Sequence, residues 1–291
     1  MRLSVYVALL LSLSLAVAMP GLTVRLSPAL RAKTLTASAV IAAVTSTWAL
    51  LLLALALLTE TPLARERRTG YPVPAIVSIA AVVLLTLSMR RAMRVVQVRL
   101  SSAHALQRIC DQCDPSGELV VLSDPVPQAF AVSGRPGRIL ISSGLLRLTN
   151  SRELRVVLEH ERAHLRHAHH RLRGLTELAA ALNPLLRSSR EAVAFAVERW
   201  ADEAAAETVG DRQLAARALA KVALAGTAIT QATYLAFHRN AVPARVAALQ
   251  SPAVPSWPLL AVAALAPATL TVFVAGDATL AFARVAERLV N

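Results

Sequence analysis

Two histidines and a glutamate near the middle of the chain have the spacing of a metal site. They form the pattern His160-Glu161-x-x-His164 inside a run that otherwise reads as helix. Residues four apart lie on one face of a helix, so both imidazoles can bind one zinc ion. Glu161 is then positioned to act as the general base on a zinc-bound water. The pattern therefore predicts zinc-assisted hydrolysis of a peptide bond.

A third protein ligand is needed, because a catalytic zinc usually has three and keeps its fourth position for water. Glu198 is the candidate, on a separate predicted helix that begins well after His164. Asp202 follows Glu198 by one helical turn, where its carboxylate could accept a hydrogen bond from a ligand histidine. The sequence therefore predicts one Zn²⁺ per chain, bound by His160, His164 and Glu198.

His170 offers a competing third ligand, because it occupies the last position of the metzincin pattern His-Glu-x-x-His-x-x-Gly-x-x-His. However, His167 replaces the glycine at which that chain turns back. A continuous helix would carry His170 about 9 Å beyond His164. All four methionines also lie at or before Met93, so no Met-turn can follow. We therefore interpret His167, His169 and His170 as a solvated or membrane-facing basic face.

The elements that hold these residues are predicted between residues 90 and 251. Three short strands are expected at 117–122, 128–132 and 138–142, each bounded by Gly, Pro, Ser or Asp. Asn150 and Glu153 resemble a capping box that opens a helix over 151–173. Ser188 and Glu191 form a second such signature, opening the helix of Glu198, which is expected to end at Gly210.

Composition indicates a membrane protein that carries such a module. Hydrophobic residues make up 55% of the 291-residue chain, and the mean hydropathy is +0.52. Four apolar segments predict transmembrane helices at 5–19, 37–58, 71–88 and 257–275. The predicted divisions are 1–89 with three transmembrane segments, 90–251 as the soluble module, and 252–291 with the last segment and a short tail. The expected fold class is a mainly α integral membrane protein.

The orientation depends on how residues 1–19 are interpreted. Arg2, an apolar run and Ala16-Val17-Ala18 also resemble a secretory signal peptide with its cleavage site. If residues 1–19 are retained as a transmembrane helix, the predicted soluble module lies on the side of the membrane that is richer in basic residues. That side carries Arg25, Arg31, Lys33, Arg90, Arg91, Arg94 and Arg99, against Arg2, Arg65, Arg67 and Arg68 on the other. The positive-inside rule then predicts an external N-terminus and a cytosolic module.

The net charge of +13 does not indicate nucleic-acid binding. The arginines are spread over loops and helix faces rather than forming a stripe interleaved with aromatic residues, so membrane topology explains them better. Cys110 and Cys113 are the only cysteines, which is too few for a disulfide framework or a Cys₄ zinc site.

Several stretches together resemble the BlaR/MecR class of membrane gluzincin peptidases and, more weakly, HtpX and CAAX-type proteases. In order, they are Pro127-Gln128-Ala129-Phe130-Ala131, Ser142-Ser143-Gly144-Leu145-Leu146, the His160 motif, Asn183-Pro184 and Glu198-Arg199-Trp200-Ala201-Asp202-Glu203. The resemblance implies a gluzincin-type α+β zinc protease module, facing the cytosol, between the third and fourth transmembrane helices of a bacterial plasma-membrane protein. It also implies that Glu161 is the base and that Asp202 supports the ligands.

The same resemblance implies further site residues. Ala129, Phe130 and Ala131 would form an edge strand to which an extended substrate adds as another strand. Arg245 lies in Arg245-Val246-Ala247-Ala248-Leu249, which is similar to a late element of these modules and is expected to be structural. His238 would stabilise the transition state, or else is a helix-end or surface histidine.

Three features depart from the class. Gln128 and Ala201 stand where relatives often have Asn and Cys. In addition, only 276–291 follow the last apolar segment, so no extracellular penicillin-binding sensor is expected.

The predicted function is a membrane-embedded zinc endopeptidase that acts on a cytosolic or membrane-associated protein, such as a regulatory repressor. The alternative is a non-catalytic membrane signalling or binding protein that uses the same fold. The expected partners are a protein or peptide substrate and the lipid membrane, without nucleic acid, and the sequence does not indicate an oligomeric state.

Overall fold

The computed structural model describes residues 2–59, 74–111, 117–134, 136–227 and 235–290. These residues form ten α-helices, two 3₁₀ turns and one three-stranded sheet. The helices are α1 (Arg2–Leu22), α2 (Pro28–Leu55), α3 (Ala75–Asp111), α4 (Ser143–Leu148), α5 (Ser151–Arg166), α6 (His169–Leu182), α7 (Arg187–Val209), α8 (Arg212–Thr227), α9 (Leu235–Gln250) and α10 (Pro258–Val290). The strands are β1 (Leu119–Leu122), β2 (Ala129–Val132) and β3 (Arg138–Ser142), and the 3₁₀ turns are Ala56–Thr59 and Pro184–Leu186.

Four helices are long and apolar enough to cross a membrane, one in each of the four segments predicted from sequence. They contain the stretches Ser4–Leu22, Pro28–Leu55, Ala75–Cys110 and Pro258–Arg284. The first residues of the third predicted segment, 71–73, lie outside the described part of the chain. At 37 residues, α3 is about 55 Å long and passes without a break through the predicted boundary at residue 90.

One apolar core joins the long apolar helices to the helix that carries Glu198. It contains Leu15 of α1, Leu35 of α2 and Ala268 of α10, together with Val193 and Val197 of α7. All five side chains are at most 4% exposed. The first half of α7 is therefore packed inside the bundle of long helices, which places Glu198 one residue beyond this core.

The sheet has the strand order β1-β3-β2, with β1 parallel and β2 antiparallel to β3. Strand β2 lies at an edge, and no other described strand pairs with it. The Ser142 amide donates to the Gln128 carbonyl at 3.0 Å, which makes these two residues a hydrogen-bonded pair. Because pairing alternates along an antiparallel ladder, the N–H and C=O groups of Ala129 and Ala131 point away from β3.

The segment before β2 is fixed by the stretch Ser142-Ser143-Gly144. The Ser142 hydroxyl accepts hydrogen bonds from the amides of Gln128 and Leu145. Gly144 donates its amide to the Asp124 carbonyl at 2.9 Å. A Cβ at position 144 would lie 2.1 Å from the Pro125 carbonyl oxygen, so only glycine allows this approach. These contacts set the position of the β2 edge.

The predicted helix over 151–173 is wrong at its C-terminal end. Its capping box is present, with Asn150 and Glu153 each bonding the other's backbone amide. However, α5 ends at Arg166, and Ala168 adopts a left-handed conformation with φ of 49°. A new helix, α6, then begins at His169 and continues past the predicted end at residue 173 to Leu182.

The start of α7 also differs from the prediction. Ser188 does not cap it; the helix begins at Arg187 after a 3₁₀ turn. Asn183 caps that turn, because its side-chain oxygen accepts the Leu185 amide at 3.1 Å. The helix ends at Gly210, as predicted, with φ of 72°.

Candidate metal centre

The structure brings His160, His164 and Glu198 together from two helices. Residues His160 and His164 lie one turn apart on α5, and Glu198 reaches them from α7. Their ligating atoms all lie within 4.8 Å of one another. The two Nε2 atoms are 3.1 Å apart, and the Glu198 oxygens lie 3.5 Å from His160 Nε2 and 3.7 Å from His164 Nε2.

This donor set fits a tetrahedral metal ion. Metal–nitrogen bonds of about 2.0–2.1 Å at tetrahedral angles would place the donor atoms about 3.3 Å apart. The two Nε2 atoms are close to this separation, and each of them lies 3.5–3.7 Å from a different oxygen of Glu198. Two neutral imidazoles and one carboxylate are a ligand set typical of catalytic zinc. The three side chains are each 15–18% exposed, so the centre remains open to a small molecule.

The ring of His160 is oriented by a hydrogen bond to the Asp202 carboxylate, which in turn accepts hydrogen bonds from Arg245. Its Nδ1 donates to Asp202 Oδ1 at 3.0 Å. Arg245 donates to both oxygens of Asp202 at 2.7 Å, and its third nitrogen lies 3.3 Å from Glu198. Arg245 therefore belongs to the site. Burial works to lower the pKa of His160, but the hydrogen bonds to Asp202 and Glu198 outweigh it and raise that pKa to about 10.

The other two donors are held in the forms that bind a metal. Burial lowers the pKa of His164 to about 4, so its ring is neutral at pH 7. Burial opposes ionisation of Glu198, but the hydrogen bond with His160 and the charge of Arg245 keep its pKa well below the usual range. Arg173, on α6, adds a second guanidinium 3.6 Å from Glu198.

Glu161 lies on the side of the centre that faces β2. It is 8% exposed, and burial raises the pKa of its carboxyl group. A backbone hydrogen bond from Ala131 acts against this shift. The Ala131 amide, which points away from β3, therefore donates to the Glu161 carboxylate beside the metal donors.

Residues 103–187 match the model of peptidase family M48. The match spans the sheet, α4, α5 and α6, and it includes His160, Glu161 and His164. It supports a metallopeptidase function, and it ends before Glu198. Neither a curated protein nor a solved structure is significantly similar to the chain. The finer resemblance to the BlaR/MecR class stays a prediction.

An apolar cavity of about 230 Å³ opens beside the metal donors. His160, Glu161, Glu198, Asp202 and Arg245 form its polar wall. The remaining wall is apolar and comes from β2, α5, α7, α8 and α9; it consists of Ala129, Val156, Val157, Ala205, Ala215, Ala218, Leu219, Val222, Ala223, Val242 and Leu249. The cavity could receive an apolar side chain of a peptide whose backbone lies at the metal centre.

The histidines after His164 do not together form the solvated or membrane-facing basic face that the sequence predicts. Residue His169 is fully buried, and its Nδ1 lies 3.0 Å from His164 Nδ1. The His167 ring stacks on Trp200 at 4.5 Å between centroids. Only His170 is exposed. The error follows from the assumed unbroken helix, since Ala168 turns the chain back.

The side chains of two other residues named from the sequence are not described. His238 falls within α9, but its side chain is not among those described, and Cys113 lies in an undescribed segment. Sequence reasoning missed three side chains at the site, His169, Arg173 and Trp200. Trp200 lies within the quoted Glu198-Arg199-Trp200-Ala201-Asp202 stretch, whereas the other two carry no motif of their own.

Proposed function

We propose that this chain is a zinc endopeptidase of a bacterial plasma membrane, with its catalytic module on the cytosolic side. It hydrolyses peptide bonds in a cytosolic or membrane-associated protein, and a regulatory repressor is one candidate substrate. The observation that carries the proposal is the convergence of His160, His164 and Glu198 next to Glu161. The family match over 103–187 and the four long apolar helices support it.

The three ligands would hold zinc, which supplies a Lewis acid for the scissile carbonyl and acidifies water. Glu161 accepts a proton from the attacking water as its oxygen bonds to the carbonyl carbon. It then delivers that proton to the amide nitrogen as the C–N bond breaks. Burial raises the pKa of the Glu161 carboxyl group. A carboxylate with a raised pKa accepts a proton from water more readily, and the acid that results can still deliver that proton to the amide nitrogen.

The peptide is aligned by the edge of β2. The outward N–H and C=O groups of Ala129 and the outward C=O group of Ala131 are available to an added antiparallel strand. The Ala131 amide instead donates to the Glu161 carboxylate. Phe130 faces the core under the sheet, so its contribution is packing that keeps the strand in place. An apolar substrate side chain next to the scissile bond enters the cavity bounded by α8.

The proposal is tested in cells that carry either the wild-type protein or Glu161→Gln. Fragments present only with the wild type would identify the substrate and the cleavage site. Glu207→Gln is the matched control, because Glu207 is exposed on α7 and should leave the fragments unchanged. Identical fragment patterns for wild type and Glu161→Gln would contradict peptidase activity. If the wild-type protein also lacked stoichiometric zinc, a non-catalytic membrane signalling or binding role would replace the proposed peptidase function.

A further inference from the structure

His169 occupies an energetically unfavourable position. Ala168, just before it, is the only non-glycine residue with positive φ in the described chain. Left-handed backbone is unfavourable for a residue with a Cβ, because the Cβ comes too close to the following carbonyl oxygen. This turn moves the ring of His169 out of the helical path and against His164, with the two Nδ1 atoms 3.0 Å apart. The ring is also fully buried.

The second nitrogen of His169 adds to that cost. Among the described residues, the buried Nε2 has no hydrogen-bond partner. The aromatic ring nearest to that of His169 is the indole of Trp200, and the two ring centroids are 4.7 Å apart. A buried polar group without a partner is unfavourable, because it has lost its hydrogen bonds to water and gained none in the protein. Backbone strain at Ala168 and an unsatisfied polar atom at the next residue, His169, point to a functional constraint.

The direction of the hydrogen bond follows from the metal site. His164 directs Nε2 at Glu198 and His160, so this is the nitrogen that would offer its lone pair to a bound metal. The neutral ring of His164 then carries its proton on Nδ1. In that tautomer His164 Nδ1 would donate to His169 Nδ1, which leaves the proton of His169 on the Nε2 that has no partner. A carboxylate or carbonyl commonly accepts from a ligand histidine; here an imidazole does so.

We infer that His169 is a positioning residue for the metal centre. By accepting the Nδ1 proton of His164, it fixes both the tautomer and the ring orientation of that ligand. It thereby parallels Asp202, which performs the same task for His160 from the other helix. The inference rests on the metal-binding part of the proposed function, and it does not require that the site cleave peptides.

The test compares three variants of the full-length protein in detergent. Asn can place an oxygen acceptor where Nδ1 stood, so His169→Asn should keep zinc affinity within about threefold. His169→Leu removes the acceptor and should weaken zinc binding about 10- to 100-fold in chelator competition. His170→Leu is the matched control at the exposed neighbouring position, and its affinity should not change. Of the three variants, only His169→Leu should change the absorption spectrum of bound Co²⁺.

The outcomes separate this inference from the proposed function. Zinc binding by His169→Leu at wild-type strength overturns the inference, as does an equal loss in His169→Asn and His169→Leu when both have the wild-type melting temperature without metal. If His169→Leu does not fold, ¹⁵N NMR of the zinc-loaded wild type decides, because an Nδ1 proton on His169 contradicts the assignment. Failure of the wild type to bind zinc at all would instead overturn the proposed function.

Discussion

Arg245 donates to both carboxylate oxygens of Asp202, at 2.7 Å each, across a separation of 43 residues in the chain. Both side chains are at least 90% buried. The pair ties α9 to α7, and through the His160 Nδ1 hydrogen bond it also fixes the first metal ligand. The stability of this helix packing and the geometry of the metal centre therefore depend on the same contact.

Arg245→Met should both destabilise the protein and weaken its metal binding. The variant leaves the Asp202 charge buried without its strongest partner, and breaking such pairs costs about 3–5 kcal/mol in the free energy of unfolding. Denaturant titration in detergent measures this loss. The double variant Arg245→Met with Asp202→Asn should be more stable than Arg245→Met alone, because the unpaired charge is gone. Wild-type stability of Arg245→Met would contradict the account.

Zinc affinity should increase with pH across the neutral range. The pKa of His160 is raised to about 10, so below that pH zinc must displace one proton from this ring. His164 and Glu198 do not compete in this range, because their pKa values are lowered. The affinity should therefore rise about tenfold per pH unit between roughly pH 6 and 8, or about 1.4 kcal/mol per unit.

Chelator competition, corrected for protonation of the chelator, measures that slope. Asp202→Asn should flatten it, since removing the carboxylate lowers the pKa of His160. A pH-independent affinity in the wild-type protein would contradict the assigned protonation states.

The cavity beside the metal should determine which residue flanks the cleaved bond. Ala223 is partly exposed in the cavity wall formed by α8, so Ala223→Phe fills space without entering the main core. Specificity constants for peptides with Leu or Phe at the flanking position should fall about 10-fold or more relative to Ala peptides. Leu224→Phe is the control, because Leu224 is 73% exposed. An unchanged preference in Ala223→Phe would show that substrates do not use this cavity.

Local sequence patterns predicted the elements around the centre because the relevant interactions are local. The Asn150 cap, the three strands and the stop at Gly210 each depend on neighbouring residues. One helix is enough to bring His160 and His164, four residues apart, to the same face. A second helix does the same for Glu198 and Asp202.

The remaining features depend on tertiary structure. The stretch around Ala168 contains neither Gly nor Pro, so nothing local signalled that the helix would break there. The contact of Arg245 with Asp202 depends on α9 packing back against α7. Likewise, α7 reads as part of a soluble module in sequence, but its first half packs among the long apolar helices.

The most direct test of the central claim is the rate at which purified, zinc-loaded protein hydrolyses a mixed peptide library, with wild type and Glu161→Gln compared. Loss of a general base should lower the rate about 10²- to 10⁴-fold. Zinc content should stay at one ion per chain, because Glu161 is not among the three proposed ligands. A Glu161→Gln variant that keeps the wild-type rate would contradict the proposed mechanism.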